Sequence, residues 1–432
     1  MWIGGVGDGR ERCEIVGVAS YRSGKVLIGA IIYRCTNADF GIYPSMRRAV
    51  PVIGLFSGAG GLEIGASAAG ADVRLSVDND RLTCETLRLN HQHQLGDVLE
   101  ADVSKLDGRT LRKRAGISTR DPCLIIGGPP CQPFSKSSYW TDPGHDSRFR
   151  RARARGESAP RPAPITVAKQ DQRRTLVQEF LRLIIEADVQ GFLFENVPSI
   201  THPRNKIVLD SFITDAQSAG YEILLLRVNA LHYGVPQSRH RVVVLGLKGG
   251  RPQAPIPTHA KASGGELFAL PSMTAGVALA PYADVRFFEP EEVVQGRYER
   301  HLREIPPGQN YKALSAWAGH PHPEFEAETR FWTFLLKLSP DLPSWTIQAN
   351  PGPWVGPFHW TSRRLRTVEL AALQRFPEGY VFAGSRRDKV KQIGNAVPPL
   401  LAQRMIEPLL DAVCDGRRRK WARDSAGVSC DV

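Results

Sequence analysis

The sequence predicts an α/β fold with a mostly parallel sheet and a second, smaller, irregular domain. Three observations predict it. From residue 50 to about 250, short apolar runs alternate with segments of helical periodicity. The runs are apolar on both faces, as strands covered by helices must be. Between 251 and 362 the periodicity fades, and Pro, Gly, Trp and His accumulate, as in "NPGPWVGPFHW".

The elements follow in order. Residues 1–49 carry a strand-like piece, "KVLIGAIIY", but no motif, and Met46 would make a natural translation start. "VIGLF" is a short buried strand, and "GGLEIGASAAG" a helix closed by Gly70. "ADVRLSVD" alternates as a strand, "TCETLRLNH" reads as helix, and Asp102 in "EADVSKL" stands where a third strand ends. "PCLIIGG" is a buried strand, "TLVQEFLRLIIEA" has apolar residues at helical spacing, and "GFLFEN" is the next strand. "YEILLLRV" and "RVVVLGL" lie so close together that an antiparallel sheet edge is expected. After the irregular segment come a helix at "TVELAALQRFP" and a terminal helix following "QIGNAVPP". The expected organisation is an extension (1–49), a catalytic body (50–250), a recognition segment (251–362), a return to the body (363–412) and a disordered basic tail (413–432).

Composition narrows the function. No apolar run reaches the roughly 18 residues of a membrane span, and the first 25 residues show no signal-peptide core. Seven cysteines without a C-x-x-C pair argue against a disulfide framework, and a reducing cytoplasm is the expected compartment. The pairs His91/His93 and His320/His322 lack acidic or cysteine companions, so no metal is expected. A net charge of +12 points to a polyanionic partner. Six arginines between Arg148 and Arg161, among them Arg150, Arg151 and Arg153, form either a solvated loop or a phosphate-contacting one.

Five motifs carry chemistry. "GLFSGAGGLEIG" is a strand-to-helix turn whose glycines allow close ligand approach, or a purely structural turn. Glu63 stands where a dinucleotide motif would place its third glycine, which disfavours a pyrophosphate. Asp78 ends the next strand, placed to accept both hydroxyls of a ribose, so a nucleoside ligand fits. Asp102 is either an adenine contact or a surface cap. Cys131 sits in a rigid Gly-Gly-Pro-Pro turn after a strand, where an inert core cysteine needs no such frame; a nucleophile does. Glu195 and Asn196 end "FLFEN"; the carboxyl emerges from apolar residues and suits general acid work, or the pair caps a helix. Arg239 and Arg241, two apart in "QSRHR", either hold a substrate oxygen and stabilise a thiolate or make ordinary salt bridges.

Taken in order, "GLFSGAGGLEIG", "GGPPCQPFS", "ENV", "QSRHR" and "KQIGNAVPP" resemble the DNA cytosine-5 methyltransferase family over residues 50–247 and 360–412. The resemblance implies a Rossmann-like S-adenosylmethionine-dependent methyltransferase sheet, with 251–362 as the target-recognition domain. It implies that Cys131 attacks C6 of a flipped-out cytosine in duplex DNA, that Glu195 protonates or binds N3 and the exocyclic amine, and that Arg241 holds O2. Arg239 and Arg173 match positions near the nucleophile and phosphates. Phe56, Gly58, Gly60, Asp78, Asp102, Pro130, Asn395 and Val397 match cofactor-contacting positions. A restriction-modification setting is implied, with a monomeric, nucleoid-associated enzyme and an endonuclease sharing its target. The alternatives are a tRNA cytosine-5 methyltransferase and an inactive DNA-binding repressor. Two features depart from the family pattern: the segment after Cys131 is long and arginine-rich, and residue 79 is Asn where a bulky adenine contact is common.

Overall fold

The computed structural model describes residues 49–135, 170–260, 270–327 and 330–426, with a few isolated positions between 149 and 160. Arg47–Val432 forms one compact unit. The expected extension (1–49), all but its last residue, and Arg150, Arg151 and Arg153 of the arginine-rich segment lie outside the described residues.

Its frame is a seven-stranded sheet. The strands are β1 (Pro51–Leu55), β2 (Asp72–Asp78), β3 (Asp97–Glu100), β4 (Leu124–Gly127), β5 (Gly191–Asn196), β6 (Tyr221–Asn229) and β8 (His240–Lys248), in the order β3-β2-β1-β4-β5-β8-β6. A two-residue strand, β7 (Gln237–Ser238), stands apart from it and pairs with Ser344–Trp345. The five strands β3 to β5 pair in parallel, and β8 runs antiparallel to both β5 and β6. The antiparallel edge predicted from the close-set strands is present, but β8 slots between β5 and β6. That placement gives β8 two partners and an apolar centre, whereas β6 at the edge alternates in burial.

Helices cover both faces: α1 (Gly61–Ala68), α2 (Arg81–Leu89), α3 (Gly108–Arg114), α4 (Leu176–Glu186), α5 (Pro203–Ser218), α6 (Thr367–Leu373), α7 (Arg386–Asn395) and α8 (Pro399–Ala426). One face of the sheet packs Ile53, Ile125, Phe192 and Phe194 against α4 and α5, through Phe180 and Phe212. The other packs Val52, Leu124, Leu193 and Val243 against α1 and α8, through Leu62, Leu401 and Met405. This two-sided burial explains why the strands read as continuous apolar runs.

Of these helices, α3, α5 and α7 escape the sequence reading. Pro203 begins α5 at a position that suits proline, but its apolar residues are too sparse for a clear stripe. The "QIGN" stretch, to which the sequence reading assigns no element, ends α7, which Ser385 and Asp388 start with a reciprocal cap. The stretch expected as a disordered tail is helical as far as Ala426, because α8 simply continues beyond its buried part.

Candidate active site

Strand register assembles the site. Leu55 pairs with Val77 and Gly127, and Gly127 pairs with Phe194. The residues that follow, Phe56, Asp78, Gly128 and Glu195, therefore leave the sheet side by side at its carboxyl edge, where open α/β sheets take ligands.

The glycine loop after β1 is tightly built. Phe56 has φ 55° and Gly60 φ 79°, the left-handed region that a side chain resists. A Cβ on Gly60 would also stand 2.9 Å from Leu87 and 3.0 Å from the Tyr380 hydroxyl. That hydroxyl donates to Ala59 O at 2.7 Å, a clamp that the sequence did not signal. Asp78 locks the loop from the next strand: Gly58 N donates to its Oδ2 at 2.9 Å and Asp80 N to its Oδ1 at 2.9 Å. Burial raises its pKa against the pull of these hydrogen bonds. Val397 packs behind the loop, its carbonyl oxygen 2.0 Å from where a Gly61 Cβ would stand. Asn395 and Asn79 are exposed near these elements. Asp102 takes the capping role: its Oδ1 accepts from Ser104 N at 3.0 Å and Ser104 Oγ at 2.8 Å, which holds its pKa low.

Beneath the loop lies a group whose burial the motif did not reveal. Glu63 is fully buried on α1, and neither carboxyl oxygen has a well-shaped hydrogen bond among the described residues. Gly54 makes room for it, since a Cβ there would lie 2.0 Å from Glu63 Oε1. Burial, with Asp78 adding to it and Ser57 opposing it, pushes its pKa up to about 7. The Ser57 hydroxyl is buried too, and it acts on the Glu63 carboxyl without forming a well-shaped hydrogen bond among the described residues.

Cys131 stands just before the 3-10 turn Gln132–Phe134, four residues beyond the Gly127 end of β4, and is half-buried. Asn196 steadies its turn, donating from Nδ2 to Pro129 O at 3.1 Å. The Glu195 carboxylate meets Arg241 Nε at 2.6 Å. The register explains the pairing: Asn196 faces Val242 on β8, so Arg241 lies one residue past the end of β5.

Arg239 lies off the strand that carries Arg241. It lies between β7 and β8, only 1% exposed, and its Nη2 donates to Gly394 O at 3.0 Å and Ala396 O at 2.8 Å. It thereby ties the Cys131 region to the end of α7, while its Nε and Nη1 have no partner. Complete burial and the Arg241 charge pull its pKa down to about 9, leaving it a cation at neutral pH. Both arginines favour the Cys131 thiolate, as expected, but they do not bring its pKa down. Burial and the Glu195 charge raise the Cys131 pKa, and Arg241 and Arg239 only oppose that rise. Arg173 sits in the 3-10 turn Gln172–Thr175 just before α4, in an exposed pair with Asp171 at 2.7 Å, close enough for the Cys131 thiol to affect it.

The arrangement offers a nucleophile, a carboxyl paired with a guanidinium, and a glycine loop with a strand-end carboxylate. Residues 50–154, 163–301 and 328–411 match the family model of the C-5 cytosine-specific DNA methylases. The Type II methyltransferase M.SacI of Streptomyces achromogenes is 34% identical, covering 85% of this chain and 94% of its own. The Type II methyltransferase M1.HphI of Haemophilus parahaemolyticus is 29% identical over 91% of this chain and 96% of its own. Among solved structures, a chain described as an E. coli prophage-encoded DNA modification methyltransferase superposes with TM-score 0.58 at 21% identity. That superposition covers 84% of this chain and 99% of the other, and bears on the fold.

Proposed function

Because the chain belongs to the family of C-5 cytosine-specific DNA methylases, we propose that its DNA (cytosine-5-)-methyltransferase activity runs through a covalent bond between Cys131 and C6 of a flipped-out cytosine. The observation that carries this reading is the convergence of Cys131, Glu195 and Arg241 beside the glycine loop at one sheet edge.

S-adenosylmethionine, when bound, supplies an electrophilic methyl group. The residues present fit it. The loop from Phe56 to Gly60 offers close backbone approach, Asp78 is fixed at a strand end, and Ser57 keeps a buried hydroxyl without a well-shaped hydrogen bond among the described residues. Asp78 would take the ribose hydroxyls, while Phe56, Gly58, Gly60, Pro130 and Val397 would wall the pocket. Asp102, already a cap, and the exposed Asn395 would lie at its rim.

The target atom is unreachable in a stacked duplex, so the cytosine leaves the helix at a cost of a few kcal/mol. Sγ of Cys131, as thiolate, then forms a bond to C6. Glu195 gives a proton to N3 and holds the exocyclic amine, so the electron pair displaced from the C5–C6 bond has somewhere to go. Arg241 holds Glu195 in place and, with Arg239 behind it, faces the O2 oxygen. The enamine carbon C5 would take the methyl group as its bond to the sulfonium sulfur breaks, leaving the thioether S-adenosylhomocysteine. The C5 proton passes to water, its electron pair restores the C5–C6 double bond, the C6–sulfur bond breaks to release the Cys131 thiolate, and N3 returns its proton to Glu195.

Similarity to Type II methyltransferases supports a restriction-modification role, with an endonuclease sharing the target sequence. Residues 251–362 would read that sequence, and Arg150, Arg151, Arg153 and Arg173 would contact phosphates. Bisulfite sequencing of plasmid and tRNA from cells expressing the protein tests the reading. Conversion-resistant cytosine in one duplex context is the expected result. Resistance confined to tRNA would replace DNA as the substrate.

A further inference from the structure

We propose that Trp332 and Trp345 form an aromatic platform that stacks against duplex DNA beside the extruded cytosine and favours the opened helix. The inference rests on the reading of the Cys131 pocket as the cytosine site.

The two indoles are 50% and 43% exposed, and their rings meet edge to face with centroids 5.6 Å apart. Neither belongs to the small core of this segment, which Val294, Leu302, Tyr311, Leu335 and Phe358 build. A pair of large apolar rings held together at the surface marks a binding surface rather than a packing defect.

The ladder of Ser344–Trp345 says where this surface faces. Trp345 pairs with Ser238 of β7, Thr346 Oγ1 donates to Ser238 O at 2.7 Å, and Ile347 N donates to Gln237 Oε1 at 3.2 Å. The next residue along that chain is Arg239, and Arg241, paired to Glu195, follows two later. The backbone of Trp345 is thus fixed beside the chain that leads to Arg241, and Trp332 joins it through the contact of the two rings. Trp332 is fixed as well, because its carbonyl accepts from Asn310 Nδ2 at 2.7 Å.

A duplex delivering one base to that pocket must bring its neighbouring bases, and the gap left by the missing one, past this surface. Exposed aromatic faces bind unstacked bases of any sequence, and apolar wedges hold parted base steps open. The chemistry that fits is therefore a locally opened duplex. Stacking there would repay part of the cost of extrusion.

The test compares Trp332→Ala and Trp345→Ala with wild type on two duplexes carrying the mapped target. One is fully paired; in the other the partner of the target cytosine is an abasic site. Affinity for the paired duplex should fall about tenfold or more, since stacking losses of this kind are large. Affinity for the pre-opened duplex should change far less, and Trp345→Phe should keep most of the wild-type preference. A 2-aminopurine at the target position should also brighten less on binding the alanine variants. Equal losses on both duplexes would overturn the proposal, and so would an unchanged affinity for the paired one, which would leave the indoles to a protein partner. Covalent trapping of wild type on a 5-fluorocytosine duplex separates the two ideas: without a Cys131 adduct, the pocket reading fails whatever the tryptophans do.

Discussion

At the carboxyl edge of the sheet the functional side chains are aligned by backbone ladders, whereas residues 270–366 join the body by the short ladder of Ser344–Trp345 on β7 and by side-chain ion pairs. Phe56, Asp78, Gly128 and Glu195 come level because their strands pair in register. The other region has few regular elements and is tied to the body by charges. Arg366 binds Glu292 and donates to Tyr282 O and Asp284 O, both at 2.8 Å. Arg363 pairs with Glu369 at 2.6 Å, and Arg386 with Glu289 at 3.1 Å. Lys337, buried, donates to Ile305 O at 2.6 Å. A ladder tolerates exchange of the side chains it carries, so the edge can be tuned for chemistry at little cost in folding. A segment held by side chains loses its placement when one of them goes.

The largest expected effect lies at the edge. Cys131→Ser should abolish methyl transfer while leaving the melting temperature and cofactor binding near wild type, because a hydroxyl is a far poorer nucleophile. Residual turnover within about tenfold of wild type would remove Cys131 from the mechanism. The raised thiol pKa adds a sign: wild-type activity should climb with pH above neutrality as the thiolate fraction grows, not level off.

Arg366→Ala is the matching test of the other region. Removing the nearer partner of a buried ion pair leaves Glu292 with only Arg363, 3.9 Å away, at a cost of up to about 3–5 kcal/mol. Limited proteolysis should open between 270 and 366 before the sheet unfolds. Cleavage no faster than wild type would mean that the charges are not what holds the segment.

Glu63→Gln breaks the pattern within the body, where a side chain rather than a ladder carries strain. The folded-state pKa is raised from 4.5 to about 7, so folding favours the neutral acid. Its contribution is complete below about pH 4.5 and is lost as pH rises through about 7. Glutamine stays neutral throughout, so the variant should be more stable than wild type at pH 8 by on the order of 3 kcal/mol, and close to it at pH 4.5. Denaturant midpoints at the two pH values measure this; parallel curves would show that Glu63 finds a partner.

Asp78→Ala should have the smallest effect, weakening S-adenosylmethionine by roughly 1–3 kcal/mol through lost charged hydrogen bonds. Calorimetric titration reads it. An equal loss of DNA affinity without cofactor would point to collapse of the glycine loop that Asp78 anchors.

Much of the edge was legible because its causes are local. Apolar strands, helix periodicity and the glycine and proline turns around Phe56 and Cys131 are set by residues close in sequence. The second region was not, since Glu292 and Arg366 meet across 74 residues with no period to announce them. Helices α5 and α7 were missed for a related reason: packing and caps, not a strong apolar stripe, make them.

By itself, then, the sequence determined an α/β sheet, the order of its motifs and the rigid turn that presents Cys131. Only the tertiary structure decided that β8 enters between β5 and β6 and so delivers Arg241 to Glu195. It alone decided that Arg239 turns inward to the carbonyls of Gly394 and Ala396 across 155 and 157 residues. Steric and hydrophobic preferences of neighbouring residues fix strands and turns, but a guanidinium's choice of partner is made only when distant segments exclude water together.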